Sequence, residues 1–172
     1  MKGYIQVYTG NGKGKTTAAF GLTLRAVGAG KKVFFAQFVK SQIYSEVKAV
    51  QEFLPSVTIK QYGLDCFIVN TPTPADIAAA RKGFKEISEI IKAGQHEVVI
   101  LDEANIAIYY NLFSEDELIE LIQSKPQEME IIITGRYATP KLVEIADLVT
   151  EMKEIKHYYN TQGVEAREGI EY

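Results

Sequence analysis

The sequence lacks the features that mark disulfide-bonded, secreted and membrane-spanning proteins. It holds a single cysteine, Cys66, which excludes an internal disulfide framework and fits a reducing compartment. No run approaches the roughly 18 apolar residues that a membrane span needs. No apolar segment of the secretory type precedes the first glycine-rich turn, which begins at Gly10. We therefore expect a cytoplasmic protein that needs no membrane.

The charge balance is close to even. Lysine and arginine together number 19 against 22 acidic residues, a net charge of −3, whereas a polyanion partner would favour a basic face. This balance does not exclude a locally basic patch, but we expect no nucleic-acid partner. The apolar fraction is 47% and the charged fraction 24%, as in ordinary soluble proteins. A chain of 172 residues can bury its own core without disulfides, and we expect one domain, residues 1–172.

Short strand-like runs alternate with longer helical patterns. Apolar runs bounded by turn residues predict strands at residues 4–8, 33–38, 57–62, 97–101, 130–134 and 148–155. Helical spacing of apolar residues predicts helices at residues 15–29, 45–54, 75–93, 115–124 and 140–146. This alternation predicts an α/β fold with a mostly parallel sheet and helices on both faces. Ligands of such folds lie beyond the carboxyl ends of the strands.

A glycine-rich segment joins the first predicted strand to the first predicted helix. It comprises Thr9, Gly10, Asn11, Gly12, Lys13, Gly14, Lys15, Thr16 and Thr17. The phosphate-loop (P-loop) pattern G-x-x-x-x-G-K-[ST] matches it except at the first position, which Thr9 occupies. Glycines let backbone N–H groups point at an anion, and the start of a helix adds positive charge. We therefore predict a P-loop NTPase-like fold that binds ATP here.

Within this segment, Lys15 is predicted to contact phosphate oxygens and the Thr16 hydroxyl to bind Mg²⁺ (or Mn²⁺). The alternative is a solvated glycine turn that is capped by threonine. Thr17 is equally compatible with a helix residue that binds no ligand.

Two carboxylates follow the fourth predicted strand. Four apolar residues, 98–101, lead into Asp102 and Glu103, so both acids lie at a carboxyl strand end. If this strand is a sheet neighbour of the first, the acids lie beside the P-loop and join Thr16 in binding a cation that bridges phosphates. The alternative is a helix cap or a solvated turn. Which carboxylate binds the metal directly stays open.

Three further side chains are candidate substrate contacts. Gln37 closes the second strand, Arg136 follows the fifth, and Arg25 lies on the P-loop helix. The alternatives are a solvated lysine, Lys40, at the end of the Gln37 segment, a glycine turn before Arg136 and a surface arginine at position 25. A polar and aromatic segment around His157 is also of interest, because it is placed to fold over the site.

With these motifs, the sequence resembles the ATP:corrinoid adenosyltransferases of the P-loop type. The resemblance rests on YTGNGKGKTTAAFG at 8–21, RAVG at 25–28, QFVK at 37–40, VVILDE at 98–103, IIITGR at 131–136, KH at 156–157 and GIEY at 169–172. These blocks span nearly the whole chain. Threonine in place of the first P-loop glycine is itself part of that family's pattern.

The resemblance implies transfer of the 5′-deoxyadenosyl group of ATP to the cobalt of a reduced corrinoid, with release of tripolyphosphate. Cobalt(I) is itself a strong nucleophile, so the protein must supply alignment and charge stabilisation rather than a general base. Lys15, Thr16 and Glu103 are the implied catalytic residues. The resemblance also implies a homodimer and a reduced-flavoprotein electron donor.

The loop that faces the corrinoid in relatives differs in this chain, where Tyr62 and Phe67 are the candidate corrinoid contacts. The alternative for both is core packing around the third strand. Two other functions compete with adenosyl transfer. One is a P-loop kinase or ATPase that acts at the γ-phosphate, and the other is a nucleotide-dependent switch or recombinase-like DNA-binding module, which the acidic balance disfavours.

Overall fold

The computed structural model describes residues 2–64, 68 and 71–172. Strands β1 to β6 run over Ile5–Thr9, Val33–Phe38, Val57–Tyr62, Val98–Asp102, Glu130–Thr134 and Leu148–Glu151. Helices α1 to α7 run over Lys15–Gly28, Ser45–Phe53, Pro74–Ala93, Ala104–Tyr109, Glu115–Gln123, Pro140–Ile145 and Tyr158–Gln162. None of the described helices has both the length and the apolar content to cross a membrane.

The six strands form one sheet in which every pairing is parallel. Their order is β3-β2-β4-β5-β1-β6, which confirms the predicted α/β class. Strands β2 and β4 are buried along their whole length, because helices cover both faces at the centre of the sheet. This double burial explains the continuous apolar runs at residues 33–36 and 98–101. The edge strand β6 is exposed at every residue.

The sheet separates two hydrophobic cores. Successive side chains of a strand point to opposite faces, so Phe34 and Val99 join the larger core, whereas Phe35 and Ile100 join the smaller one. Residues of α3, α4, α5 and α6 pack in the larger core, and residues of α1 and α2 cover the smaller one. Helix α1 therefore lies on one face of the sheet and α4 on the other, and both begin at its carboxyl edge.

Capping side chains define where the longer helices of the larger core begin. The Thr73 hydroxyl accepts a hydrogen bond from the Asp76 N–H, and the Asp76 carboxylate accepts one from the Thr73 N–H. Ser114 and Glu117 form the same reciprocal pair at the start of α5. Such capping boxes satisfy N–H groups that have no partner within the helix.

The structure differs from the sequence-based prediction in three elements. Helices α4 and α7 were not predicted, and β6 ends at Glu151 rather than at residue 155. Beyond β6 the backbone leaves the sheet to run along the P-loop, where Met152 bonds to Thr9 and Gly12. The strands predicted at 33–38, 57–62 and 130–134 are confirmed to the residue.

Gly83 lies within α3 with the Tyr62 ring against it. A Cβ at Gly83 would lie 2.3 Å from Tyr62 Cγ, and Tyr62 is only 7% exposed. We expect Gly83→Ala to lower the free energy of unfolding by about 1–3 kcal/mol, because overpacking outweighs the ~1 kcal/mol that alanine gains in a helix. Urea unfolding followed by circular dichroism measures the change.

Gly21→Ala is the matched control for this substitution. Gly21 is an exposed residue within α1, and an added Cβ would meet nothing within 4 Å. The control should raise the free energy of unfolding by roughly 0.5–1 kcal/mol. A stabilised Gly83→Ala variant would contradict the close packing of Tyr62 on α3.

Candidate active site

The P-loop takes its shape from glycines at positions that admit no side chain. Gly10 and Gly14 have φ angles of 94° and 119°, in the region that favours glycine. A Cβ at Gly12 would lie 2.8 Å from the Met152 carbonyl oxygen, whose backbone runs directly along the loop. The Gly12 N–H donates to that oxygen at 2.7 Å. The segment after β6 therefore braces the P-loop from outside.

Thr9, which stands where the P-loop pattern has glycine, has a structural contact of its own. Its hydroxyl accepts a hydrogen bond from the Ala138 N–H at 3.3 Å. This bond ties the start of the loop to the segment after β5. Thr9 and Gly10 do not line the cleft, whereas residues 11–17 do.

Lys15 is the first residue of α1, and its ammonium group points back into the P-loop. It is 7% exposed, and Nζ donates to the carbonyl oxygens of Gly10 and Gly12, each at 2.8 Å. Burial lowers the pKa of Lys15, and the negative charge of Glu103 opposes that shift. Phosphate oxygens that entered the loop would offer this ammonium stronger, charged acceptors than the two carbonyls.

Asp102 is fully buried and joins the P-loop to three strands. Its Oδ1 accepts from the Thr16 hydroxyl at 2.9 Å and from the Thr134 hydroxyl at 2.6 Å. The sequence-based prediction placed Asp102 beside the P-loop on the condition that β1 and β4 are sheet neighbours. They are not neighbours, because β5 lies between them. The contact forms nevertheless, because α1 packs across both β4 and β5 and carries Thr16 over the intervening strand.

Gln37 and Lys40 hold the other carboxylate oxygen of Asp102. The Gln37 amide donates to Oδ2 at 3.2 Å, and Lys40 Nζ lies 3.0 Å from the same atom. Gln37 is fully buried and does not line the cleft, so it supports Asp102 instead of touching substrate as predicted. Its own amide oxygen accepts from Gln61.

Lys40 was not a predicted site residue, because a lysine just after a strand usually lies in solvent. In the structure its side chain is 16% exposed and lines the cleft. Burial disfavours the charged ammonium, but the carboxylates of Asp102 and Glu103 outweigh it and raise the pKa of Lys40. Lys40 therefore stays charged beside Thr16, whose hydroxyl oxygen lies 3.3 Å from its Nζ.

Glu103 lines the cleft and begins α4. Burial and the charge of Asp102 raise the pKa of its carboxyl group, and Lys40, Lys15 and Arg136 oppose the shift. The Glu103 N–H donates to the Thr134 hydroxyl at 3.0 Å.

Backbone strain is concentrated at this cleft. Val39, Glu103 and Tyr137 line it with φ angles of 52°, 59° and 63°. Non-glycine residues rarely adopt such angles, and a β-branched valine is an outlier there. Strain of about 1–3 kcal/mol per residue persists only where the surrounding structure enforces it, and it clusters at functional sites.

The cleft has a volume of about 930 Å³ and a cationic end formed by Lys13, Lys15, Lys40 and Arg136. Asn11 and Thr17 also line this end. Another part of the lining is aromatic and apolar. This aromatic wall is formed by Ile106, Tyr109, Tyr110 and Tyr137, which lie on or next to α4 and after β5, and Phe20 of α1 also lines the cleft.

The C-terminal segment closes one side of the cleft, as the position of His157 in the sequence suggested. His157 and residues 169–172 line the cleft. Glu171 forms an ion pair of 2.7 Å with Lys13 of the P-loop, and the Ser45 hydroxyl donates to the Tyr172 backbone oxygen at 3.1 Å. The segment thus bridges the P-loop and the start of α2.

Three predicted contacts are not brought to the cleft by the described structure. Arg25 is exposed in the last turn of α1, ten residues and roughly 15 Å along the helix from Lys15. Tyr62 packs into the larger core, with its ring centroid 5.9 Å from that of Phe38, so the core-packing alternative holds for it. Phe67 lies outside the described residues.

The aromatic wall was missed because α4 was missed. Helix α4 is six residues long and begins at a strained glutamate whose side chain makes no cap hydrogen bond. The only signal in the sequence was the spacing of Glu103, Ile106 and Tyr109 at every third residue, which places them along one side of a helix.

Comparison with known proteins matches this chain to one family. The sequence model for ATP:corrinoid adenosyltransferase BtuR/CobO/CobP matches residues 1–172. A corrinoid adenosyltransferase of Pseudomonas aeruginosa is 34% identical over 99% of this chain and 84% of its own length. Those of a Sinorhizobium species and of Escherichia coli K12 are each 36% identical over 99% of this chain, and over 81% and 86% of their own lengths.

Proposed function

The chain belongs to the ATP:corrinoid adenosyltransferase family. On that premise we propose that its P-loop cleft transfers the 5′-deoxyadenosyl group of ATP to the cobalt of a reduced corrinoid and releases tripolyphosphate. The observation that carries the proposal is a cleft of about 930 Å³ whose lining combines cationic groups beside the P-loop with an aromatic wall. The cationic groups suit a triphosphate, and the aromatic wall leaves room for an apolar second substrate.

The reaction breaks one bond and forms one. The electron pair of cobalt(I) attacks the ribose C5′, a cobalt–carbon bond forms, and the C5′–oxygen bond breaks with its electron pair on the departing triphosphate. No proton is removed, so no general base is needed. The negative charge that develops on the leaving oxygen is stabilised by groups already fixed in place. Lys15, Lys13 and Arg136 supply positive charge, and the P-loop N–H groups supply hydrogen bonds.

Thr16 and Asp102, with Glu103 at the cleft surface, are the residues we assign to a divalent cation. The Lys40 ammonium lies within 3.3 Å of both Thr16 Oγ1 and Asp102 Oδ2, so the oxygen pair already stabilises a positive charge. The described residues contain no group of three or more His, Cys, Asp and Glu side chains that would hold a metal. This fits Mg²⁺, which takes one or two carboxylates and completes its shell with phosphate oxygens and water. Bound there, the cation would neutralise phosphate charge.

Two parts of the proposal rest on the family resemblance. They are a homodimeric assembly and a reduced flavoprotein as the electron donor for the corrinoid. The proposed cytoplasmic location rests on the sequence features described above. The exposed edge strand β6, where Leu148 and Val149 are 44% and 40% exposed, is compatible with a second chain at that edge.

One observation favours a competing function. The Glu103 carboxylate faces the cleft beside Lys15, and burial raises its pKa, a property of general bases. A base there would orient water or an acceptor hydroxyl toward the γ-phosphate, as in a kinase or ATPase.

Phosphorus NMR of an anaerobic reaction with ATP, Mg²⁺ and chemically reduced cobalamin separates the two functions. We expect tripolyphosphate to appear at the same rate as the cobalt–carbon absorbance spectrum, because all three phosphates leave as one unit. A parallel sample without cobalamin should leave ATP intact. ADP and phosphate at that rate, without tripolyphosphate, would establish γ-phosphate chemistry instead.

A further inference from the structure

Two tyrosines on the aromatic wall are exposed to an unusual degree for large rings beside a cleft. Tyr109 is 57% exposed and Tyr137 is 50% exposed. Their ring centroids lie 4.6 Å apart with an interplanar angle of 32°, so the two rings pack against each other and leave their outer faces and edges accessible. We call these two residues the tyrosine pair.

The tyrosine pair is held in place by its neighbours. Tyr110 packs edge-on against Tyr109, with ring centroids 5.3 Å apart, and its hydroxyl donates to the Ile68 carbonyl oxygen at 3.0 Å. Tyr137 has a φ of 63°, a conformation that is unfavourable for a residue with a side chain. A fold that maintains such a conformation presents the ring in a fixed position, which lowers the entropy lost when a ligand binds.

The tyrosine pair lies next to the residues that we assign to the reaction. Tyr137 directly follows Arg136, and Tyr109 lies at the far end of the helix that Glu103 begins. Tyr109 lies six positions after Glu103, a rise of roughly 9 Å along the helix. The pair is therefore within reach of a substrate whose reacting atom lies at the cationic end of the cleft.

The exposure of the pair distinguishes between the two substrates. A purine attached to a P-loop-bound triphosphate lies inside the cleft, where Phe20 and Ile106 offer less exposed apolar surface. A corrinoid has a broad, flat macrocycle, and it must approach C5′ from outside ATP. Half-exposed rings at the rim match such a ring and leave its amide groups in water.

From this geometry we propose that Tyr109 and Tyr137 form the surface on which the corrin ring lies, which makes them binding residues for the corrinoid. The inference rests on the proposed function. It assigns the corrinoid to the wall formed by α4 and the segment after β5, where the sequence had suggested Tyr62 and Phe67.

Steady-state kinetics of ring-removing variants test this assignment. In the anaerobic assay with chemically reduced cobalamin, we expect Tyr109→Leu and Tyr137→Gly each to raise the KM for the corrinoid about tenfold, equivalent to ~1.4 kcal/mol. The KM for ATP and the kcat at saturating corrinoid should change less than about twofold. Tyr109→Phe and Tyr137→Phe, which keep the rings, should stay within about threefold of the wild type.

Tyr4→Ala is the matched control, because Tyr4 is 45% exposed just before β1, at the opposite edge of the sheet, and should change neither KM. Thermal melting checks that each variant is folded, and equilibrium dialysis of cob(II)alamin in the presence of ATP measures binding without turnover.

A raised KM for ATP with an unchanged corrinoid KM would mean that the pair stacks on adenine. Unchanged values for both would mean that the pair binds neither substrate. Either result overturns the assignment while wild-type transfer continues, whereas failure of the wild type to transfer would overturn the proposed function itself.

Discussion

Lys15→Ala should lower the rate of adenosyl transfer by about 10²–10³ at saturating ATP, which is the usual loss when one preorganised contact to developing charge is removed. Lys15 is almost fully buried, and its ammonium lies inside the P-loop, 2.8 Å from two carbonyl oxygens. Because the ammonium already lies in the P-loop, it has only to exchange the two carbonyl oxygens for phosphate oxygens when ATP binds. Water entering the vacated space would be a weaker, neutral donor.

Single-turnover transfer under anaerobic conditions measures this loss without interference from product release. Lys48→Ala is the matched control, because Lys48 is an exposed lysine of α2 and should transfer at the wild-type rate. Melting curves should show that both variants are folded. A Lys15→Ala variant that keeps more than half of the wild-type turnover would refute the role of this lysine.

Asp102→Asn should affect both stability and metal use, and the two effects can be separated. The substitution removes the counter-charge of Lys40, whose side chain is 16% exposed, and leaves an ammonium facing an amide. Removing one partner of a buried ion pair lowers the free energy of unfolding by about 3–5 kcal/mol. Because Lys40 is still partly exposed, we expect a loss of about 3 kcal/mol. The Mg²⁺ concentration for half-maximal activity should also rise at least about tenfold.

The double variant Asp102→Asn with Lys40→Met separates the effect on stability from the effect on metal use. Removal of the unpaired ammonium should recover most of the lost free energy of unfolding, while the Mg²⁺ requirement stays high because the carboxylate is still missing. Lys40→Met alone tests whether the lysine takes part in the metal response. If Asp102→Asn keeps the wild-type Mg²⁺ titration curve, the acid is structural and the metal is bound elsewhere.

Local sequence signals were sufficient for the elements that local interactions determine. The P-loop could be predicted from the sequence because its backbone needs positive φ angles that favour glycine, as the φ angles of Gly10 and Gly14 show. Strand β5 was predicted to the residue, because burial on both faces leaves an unbroken apolar run, residues 131–133, between Glu130 and Thr134. The adjacency of Asp102 and Glu103 at a strand end was readable for the same reason.

Contacts between distant elements were not readable. The insertion of β5 between β1 and β4 depends on pairings far apart in the chain, and no local pattern encodes them. The sequence around Gln37 does not indicate whether its side chain contacts substrate or, as in this structure, a buried carboxylate. Tyr62 became a core residue because Gly83 of α3 leaves space for its ring, and that complementarity is visible only in three dimensions.

The location of β1 has a consequence for the order of events during synthesis of the chain. β1 pairs with β5 on one side and β6 on the other, with Gln6 opposite both Ile132 and Leu148. A ribosome that adds about 5–20 residues per second needs roughly 6–25 seconds to proceed from β1 to β5, the first of its two partners to be made. During that time the first strand has neither partner, and pairings this far apart are slow to form. The nucleotide site is therefore among the last parts of the molecule to be assembled, although its sequence is among the first to be made.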